Sequence, residues 1–197
     1  MASTARYLVT GLAVTIALGS TGQAIADQDG QVTIVIHVDN YARIPARERL
    51  WAEAEVTRIY ARAGVRTSWP TGEDQADAPG LHVRVQLLSG DMAMRKIRAE
   101  RLADTVFGEA ARGAGIAYIF IHRIASMAVR HRGDFRRILG LVMAHEVGHL
   151  VLPSYGHADR GIMRADIGGR SRGDYDFTNE QGAAIRSMLL TVSRPQE

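Results

Sequence analysis

Two histidines and a glutamate stand together in His145-Glu146-Val147-Gly148-His149. On a helix, residues four apart lie one above the other on the same face, so both imidazoles can reach one ion. Zinc takes histidine nitrogens at about 2.0–2.1 Å. Glu146 projects beside them, within hydrogen-bonding reach of a water held at that ion, whose pKa zinc lowers to about 7. The carboxylate can take the water's proton and pass it to a leaving amine. That is the mechanical content of the H-E-x-x-H pattern. The chain has no cysteine, which excludes disulfides, thiolate metal sites and a Cys nucleophile. Any metal must be held by His, Asp or Glu.

A zinc site of this kind needs a third protein ligand. Pro153 stops the helix, and a loop then brings up His157. If His157 is an ordinary loop histidine, Asp159, Asp166 or Glu180 is left to complete the set. Glu180 also has a sufficient structural role in the first turn of a helix, where its charge suits the dipole. Tyr155 and Tyr175 are candidate oxyanion donors. His37 and His82 fall on strand-like segments, and His122 and His131 fall at element ends; all four read as structural. Arg130-His131-Arg132 and Arg136-Arg137 read as solvated surface.

These residues need elements to position them. Apolar and polar residues alternate over 32–38 and again over 81–87, which predicts two strands. Between them, residues 45–63 carry Ala52, Val56, Ile59, Tyr60 and Ala63 on one helical face, with Gly64 as a stop. Val65–Trp69 reads as a short strand, and residues 71–80 as a polar loop. Residues 91–104 look helical, and Thr105-Val106-Phe107 reads as a short edge strand. Residues 116–121 (IAYIFI) are apolar on both faces and read as a buried strand. A short helix follows over 123–131. Asp134 can N-cap a helix over 135–151 that carries the histidine pair. Residues 154–176 read as loop. Thr178 with Gln181 forms a capping box for a last helix, 179–192. The pattern is that of one mixed α/β domain.

With 197 residues, 46% apolar and 23% charged, the chain is neither disordered nor a polytopic membrane protein. Its length suits one substantial core rather than two. The net charge is +3, and Lys96 is the sole lysine among the 24 basic residues. The arginines are scattered among acids with no long basic run, which argues against a nucleic-acid surface. At the N-terminus, Arg6 precedes the uncharged apolar stretch Tyr7–Leu18. Gly19–Gln23 break it, and Ala24-Ile25-Ala26 places small residues before Asp27. This is the pattern of a cleaved secretory signal over residues 1–26, too short to span a bilayer comfortably. The expectation is an exported protein, periplasmic or extracellular, with residues 27–197 as a single catalytic domain. No membrane span is expected after cleavage.

The stretch His145-Glu146-Val147-Gly148-His149, then His157, then Gly161-Ile162-Met163 resembles the zinc-binding segment of the metzincin metallopeptidases. In that family a third His follows the helix, and a Met-containing turn lies beneath the metal. The usual family spacing puts Gly and the third His where this chain has Leu152 and Tyr155; His157 comes two residues later, after Gly156. The segment is also similar to a group of uncharacterised exported bacterial proteins that read HExGH-x7-H followed by GIM, with a start similar to residues 31–70 here. The resemblance implies a zincin-like α+β fold: a mixed twisted sheet over a cleft, an active-site helix and a C-terminal helix. It implies Zn²⁺ held by His145, His149 and His157, Glu146 as general base, and Met163 as the Met-turn residue. A cleft-edge strand within 105–121 would pair with extended substrate. Several metzincins have a Tyr two residues after that Met, where this chain has Ala165.

Two functions of different class follow from these readings. One is a secreted zinc-dependent metallopeptidase acting on a peptide or protein substrate. The other is a non-catalytic zinc-binding or interaction domain on the same scaffold, which has no need of Glu146. No residue pattern reads as a pocket for a particular substrate side chain.

Overall fold

The alternating segment at Val32 forms strand β1 (Thr33–Asn40), and the helix-period segment after it forms α1 (Ala46–Arg62). In the computed structural model, which describes residues 32–71, 78–154, 156–166 and 175–192, the order continues as follows. Strand β2 (Arg66–Ser68) and strand β3 (Leu81–Leu88) precede helix α2 (Gly90–Glu100), strand β4 (Gly108–Ala111) and a short 3₁₀ turn (Arg112–Ala114). Strand β5 (Ile116–Phe120) then leads into α3 (Ile121–His131), α4 (Phe135–Val151) and α5 (Asn179–Val192). The described residues belong to one compact unit, 31–197. The apolar N-terminal segment, residues 1–26, lies outside them. No helix among the described residues is long and apolar enough to cross a membrane.

The five strands make one mixed sheet in the order β2-β1-β3-β5-β4. β1 runs parallel to β2 and β3, and β3 runs parallel to β5. β4 alone is antiparallel, paired with β5 from Gly108↔Ile119 to Ala111↔Ile116. Period-2 alternation sends Ile34, Ile36, Val83, Val85, Leu87, Ala117 and Ile119 into the main core, against Val56, Ile59 and Tyr60 of α1 and Leu139, Val142, Met143 and Val147 of α4. On the other face, Leu88 and Phe120 pack with Ala93 and Ile97 of α2. Helix α4 is buried almost all round, from Leu139 through Gly148 and again at Leu150 and Val151. A helix apolar on every side is a core helix, and this one carries the histidine pair.

Its ends are fixed by local chemistry. The Asp134 carboxylate accepts from the Arg136 backbone N–H at 3.0 Å. Leu152 turns extended ahead of Pro153, whose ring disfavours a helical residue before it. At α5 the Thr178 hydroxyl accepts from the Gln181 N–H, and the Gln181 amide oxygen accepts from the Thr178 N–H, the reciprocal box expected from those two residues.

Three boundaries differ from expectation. The edge strand is Gly108–Ala111, not Thr105-Val106-Phe107. Val106 packs against the α2 cluster, and the Phe107 carbonyl accepts from the Phe120 N–H at 2.9 Å, just ahead of the ladder. Val106 and Phe107 thus owe their apolar character to packing, whereas Thr105 is exposed. Helix α2 stops at Glu100 because Arg101 takes a left-handed conformation, φ 54°. Ile121 begins α3 instead of ending β5. The described parts of 71–80 and 154–176 contain no helix or strand.

The cap on α4 makes a pH-dependent prediction. The Arg136 side chain, and then its backbone N–H, hold Asp134 below the ordinary aspartate value. A carboxylate with a depressed folded pKa stabilises above its unfolded pKa, and that stabilisation is lost as pH falls through the folded value. Asp134→Ala should therefore cost about 1 kcal/mol near neutral pH, read by urea unfolding, with the difference from the parent closing as the pH drops below that of a free aspartate.

Candidate metal centre

Helix α4 delivers His145 and His149 one turn apart, and the loop after Pro153 returns His157 to the same place. The ligand-capable nitrogens of the three rings lie within 4.8 Å of one another. Ring centroids are 4.6 Å apart for 145 and 149, 5.2 Å for 145 and 157, and 5.0 Å for 149 and 157. His145 is buried, His149 half-buried and His157 exposed, so the cluster opens to solvent on the His157 side.

The tautomer of His145 follows from its partner. Its Nδ1 lies 2.8 Å from the Ile162 carbonyl oxygen, which can only accept, so Nδ1 carries the proton. The lone pair is then on Nε2, which faces the Nε2 of His149 at 3.0 Å. Two nitrogens this close need a proton or a cation between them. Burial, opposed by the Ile162 contact and aided by its two histidine neighbours, brings His145 down to about 4. Burial, then His157 and Arg112, does the same to His149. Both imidazoles therefore stay neutral near pH 7, the form that donates to a metal. A converging set of three imidazoles, ligand-capable nitrogens within 4.8 Å of one another, fits zinc.

Glu146 is only 6% exposed. Burial, reinforced by the charge of Glu109, pushes its pKa up to about 8. A cation held at the three rings would act in the opposite direction and favour the carboxylate. The side chain opens on a cleft of about 340 Å³, walled on one side by residues 105–110 and on the other by His145, Glu146, His149, His157 and Ala165.

The supports of the cluster lie in the chain after it. Met163 is 1% exposed and sits under α4 at Gly148, where an added Cβ would stand 2.6 Å from its sulfur. The Ala158 N–H donates to the Met163 carbonyl at 2.8 Å, tying the residue after His157 to the turn beneath the helix. The Ile162 N–H donates to the Asp176 carbonyl. Gly161 has φ +71°, and a side chain there would meet that same oxygen. The Asp176 carboxylate in turn takes Arg58 and Arg62 of α1. Arg112, after the edge strand, donates to the carbonyls of His149 and Pro153, both at 3.1 Å, satisfying acceptors at the C-terminal end of α4. Tyr60 donates to the carbonyl of Ala144, the residue before His145, at 3.1 Å.

The expected ligands His145, His149 and His157 are thus together, with Glu146 beside them and Met163 beneath. The other candidates stand apart. Among the described residues Asp159, Asp166 and Glu180 do not join the cluster; Asp159 and Glu180 line a separate cavity of about 510 Å³. His37 and His82 bond to each other across β1 and β3 at 3.0 Å. His122 and His131 lie at the start and end of α3. Tyr175 packs against Arg137, and Tyr155 lies outside the described residues. Arg112, Asp176, Tyr60 and Glu109 carry no local sequence signal for their parts: each acts through a contact distant in the chain.

The fold is similar to that of a zinc-dependent peptidase from Methanocorpusculum labreanum (strain Z), with a TM-score of 0.51 and 16% identity, covering 77% of this chain and 99% of that one. At that identity the likeness is one of fold. No family model matches the chain, and no curated protein matches it.

The packing beneath the helix can be tested without any metal. Gly148→Val places its branches on Met163 and Phe177, whose nearest atoms lie 2.6–3.3 Å from the first added carbon. Overpacking of this kind costs about 1–3 kcal/mol, against a gain in helix propensity of a few tenths. Urea unfolding of the metal-free variant should show the net loss.

Proposed function

We propose that the protein is an exported zinc-dependent metallopeptidase of metzincin type, residues 1–26 being a cleaved signal and the chain from Asp27 the catalytic domain, in the periplasm or outside the cell. The observation that carries this reading is the convergence of three imidazoles beside a buried carboxylate that faces a cleft. The GIM turn beneath the helix supports the metzincin assignment. The apolar stretch over Tyr7–Leu18, with small residues before Asp27, supports export.

His145, His149 and His157 would hold the ion. Zinc, when bound, supplies a Lewis acid that acidifies a water and polarises the scissile carbonyl. Glu146 removes the proton from the attacking water as its oxygen bonds to the carbonyl carbon. The same carboxyl then returns that proton to the amine nitrogen as the C–N bond breaks. The Ile162 carbonyl keeps the His145 Nε2 lone pair aimed at the site. The outer side of β4, at the end of the sheet, offers unpaired backbone groups to an extended peptide. A purely structural zinc domain needs neither the open cleft nor Glu146, and those two features favour the enzyme over the binding module.

The purified chain from Asp27 onward should contain one zinc per molecule by elemental analysis and cleave a mixed peptide library. A chelator should abolish cleavage and added zinc restore it. Glu146→Ala should keep the metal and lose roughly 10²–10⁴-fold in kcat, whereas His157→Ala should lose metal. A parent without zinc, or a Glu146→Ala variant of undiminished activity, overturns the proposal.

A further inference from the structure

Gly108 opens the edge strand and is the residue of β4 that faces Glu146. A Cβ built there would stand 2.6 Å from Glu146 Cγ, 2.8 Å from its Cδ and 2.8 Å from its Oε1. Real Cβ atoms do not come that close to another heavy atom, so something would have to shift. The two backbones are held, so the Glu146 side chain, which borders the cleft, is the part that must move. β4 is held in register with β5 from Gly108 to Ala111, and the Phe107 carbonyl just before it takes the Phe120 N–H. On the other side, α4 is fixed by Tyr60 at the Ala144 carbonyl and by Met163 against Gly148. The Glu146 side chain is nearly buried between these two walls. Gly108 is not left-handed, so its backbone conformation does not account for a glycine here. The space does.

We propose that Gly108 is a positioning residue for the reaction: its missing side chain lets the edge-strand backbone form the wall that sets the Glu146 carboxylate in the cleft. The catalytic half of this inference rests on the peptidase reading above; the contact half does not. Any side chain at 108 displaces the carboxylate, and an error of about 1 Å in a reacting group can cost about 100-fold in rate. Substrate binding along the rest of the cleft is left in place.

Two measurements test the halves separately. The first is a thermal-unfolding cycle on metal-free protein: parent, Gly108→Ala, Glu146→Ala and the double variant. Gly108→Ala alone should lower Tm by roughly 3–10 °C. In the Glu146→Ala background the same change should be nearly neutral, because the atoms it strikes are gone. Equal shifts in both backgrounds would overturn the contact. The second measurement is kinetic, on zinc-loaded protein that cleaves peptides. Gly108→Ala should lose roughly 100-fold in kcat with KM and zinc content unchanged, and Gly108→Ala should add nothing to the loss caused by Glu146→Ala. A Gly108→Ala variant with parental kcat, or one that loses zinc or raises KM instead, would overturn the positioning role. A parent that cleaves nothing would refute the peptidase reading, and with it the catalytic half, while the Tm cycle would still decide the contact.

Discussion

A single hydrogen bond organises the metal centre. The Ile162 carbonyl claims the proton of His145 Nδ1, and that choice of tautomer leaves the Nε2 lone pair facing His149. Without it the ring could turn its N–H toward the cluster and act as a donor where an acceptor is required. The bond spans the stop at Pro153 and the loop bearing His157, so it couples the helix to the turn beneath it. Asp176 holds that turn and is itself held by two arginines of α1. From His145 to the first helix, each group is oriented by the next.

The second constraint is the burial of α4. A helix surrounded by core is rigid, which suits ligands that must hold their angles. It is also a costly place for polar groups. The chain meets that cost by keeping the histidines neutral and by placing Glu146 where it opens on the cleft. The same burial that stiffens the helix depresses the histidine pKa values and raises that of Glu146, so packing and electrostatics have one cause.

Much of this was legible in the sequence because it is local. Period-2 alternation located β1 and β3; Asp134, Pro153, Thr178 and Gln181 located the ends of α4 and α5. The spacing of His145, Glu146 and His149 located half of the site. His157 is eight residues further on, and spacing alone could not choose it over Asp159 or Asp166; the return of its loop toward α4, tied at Ala158 and Met163, brings its ring beside the other two. The edge strand was misplaced because Gly-Glu-Ala-Ala has little strand character. Its pairing comes from β5, and its glycine answers to Glu146, a residue 38 positions away. Arg112, Tyr60 and Asp176 were invisible for the same reason: their partners are remote, and a charge or an aromatic ring taken alone does not announce a distant carbonyl.

Met163 carries a further consequence. Its sulfur is sealed beneath Gly148 in a chain that has no thiol at all. Conversion to the sulfoxide adds an oxygen and polarity to an apolar side chain, and this space has room for neither. Met163 is 1% exposed, and the turn that carries it also supplies the Ile162 carbonyl to His145. Packing at that one sulfur and the orientation of a histidine in the cluster thus depend on the same short turn.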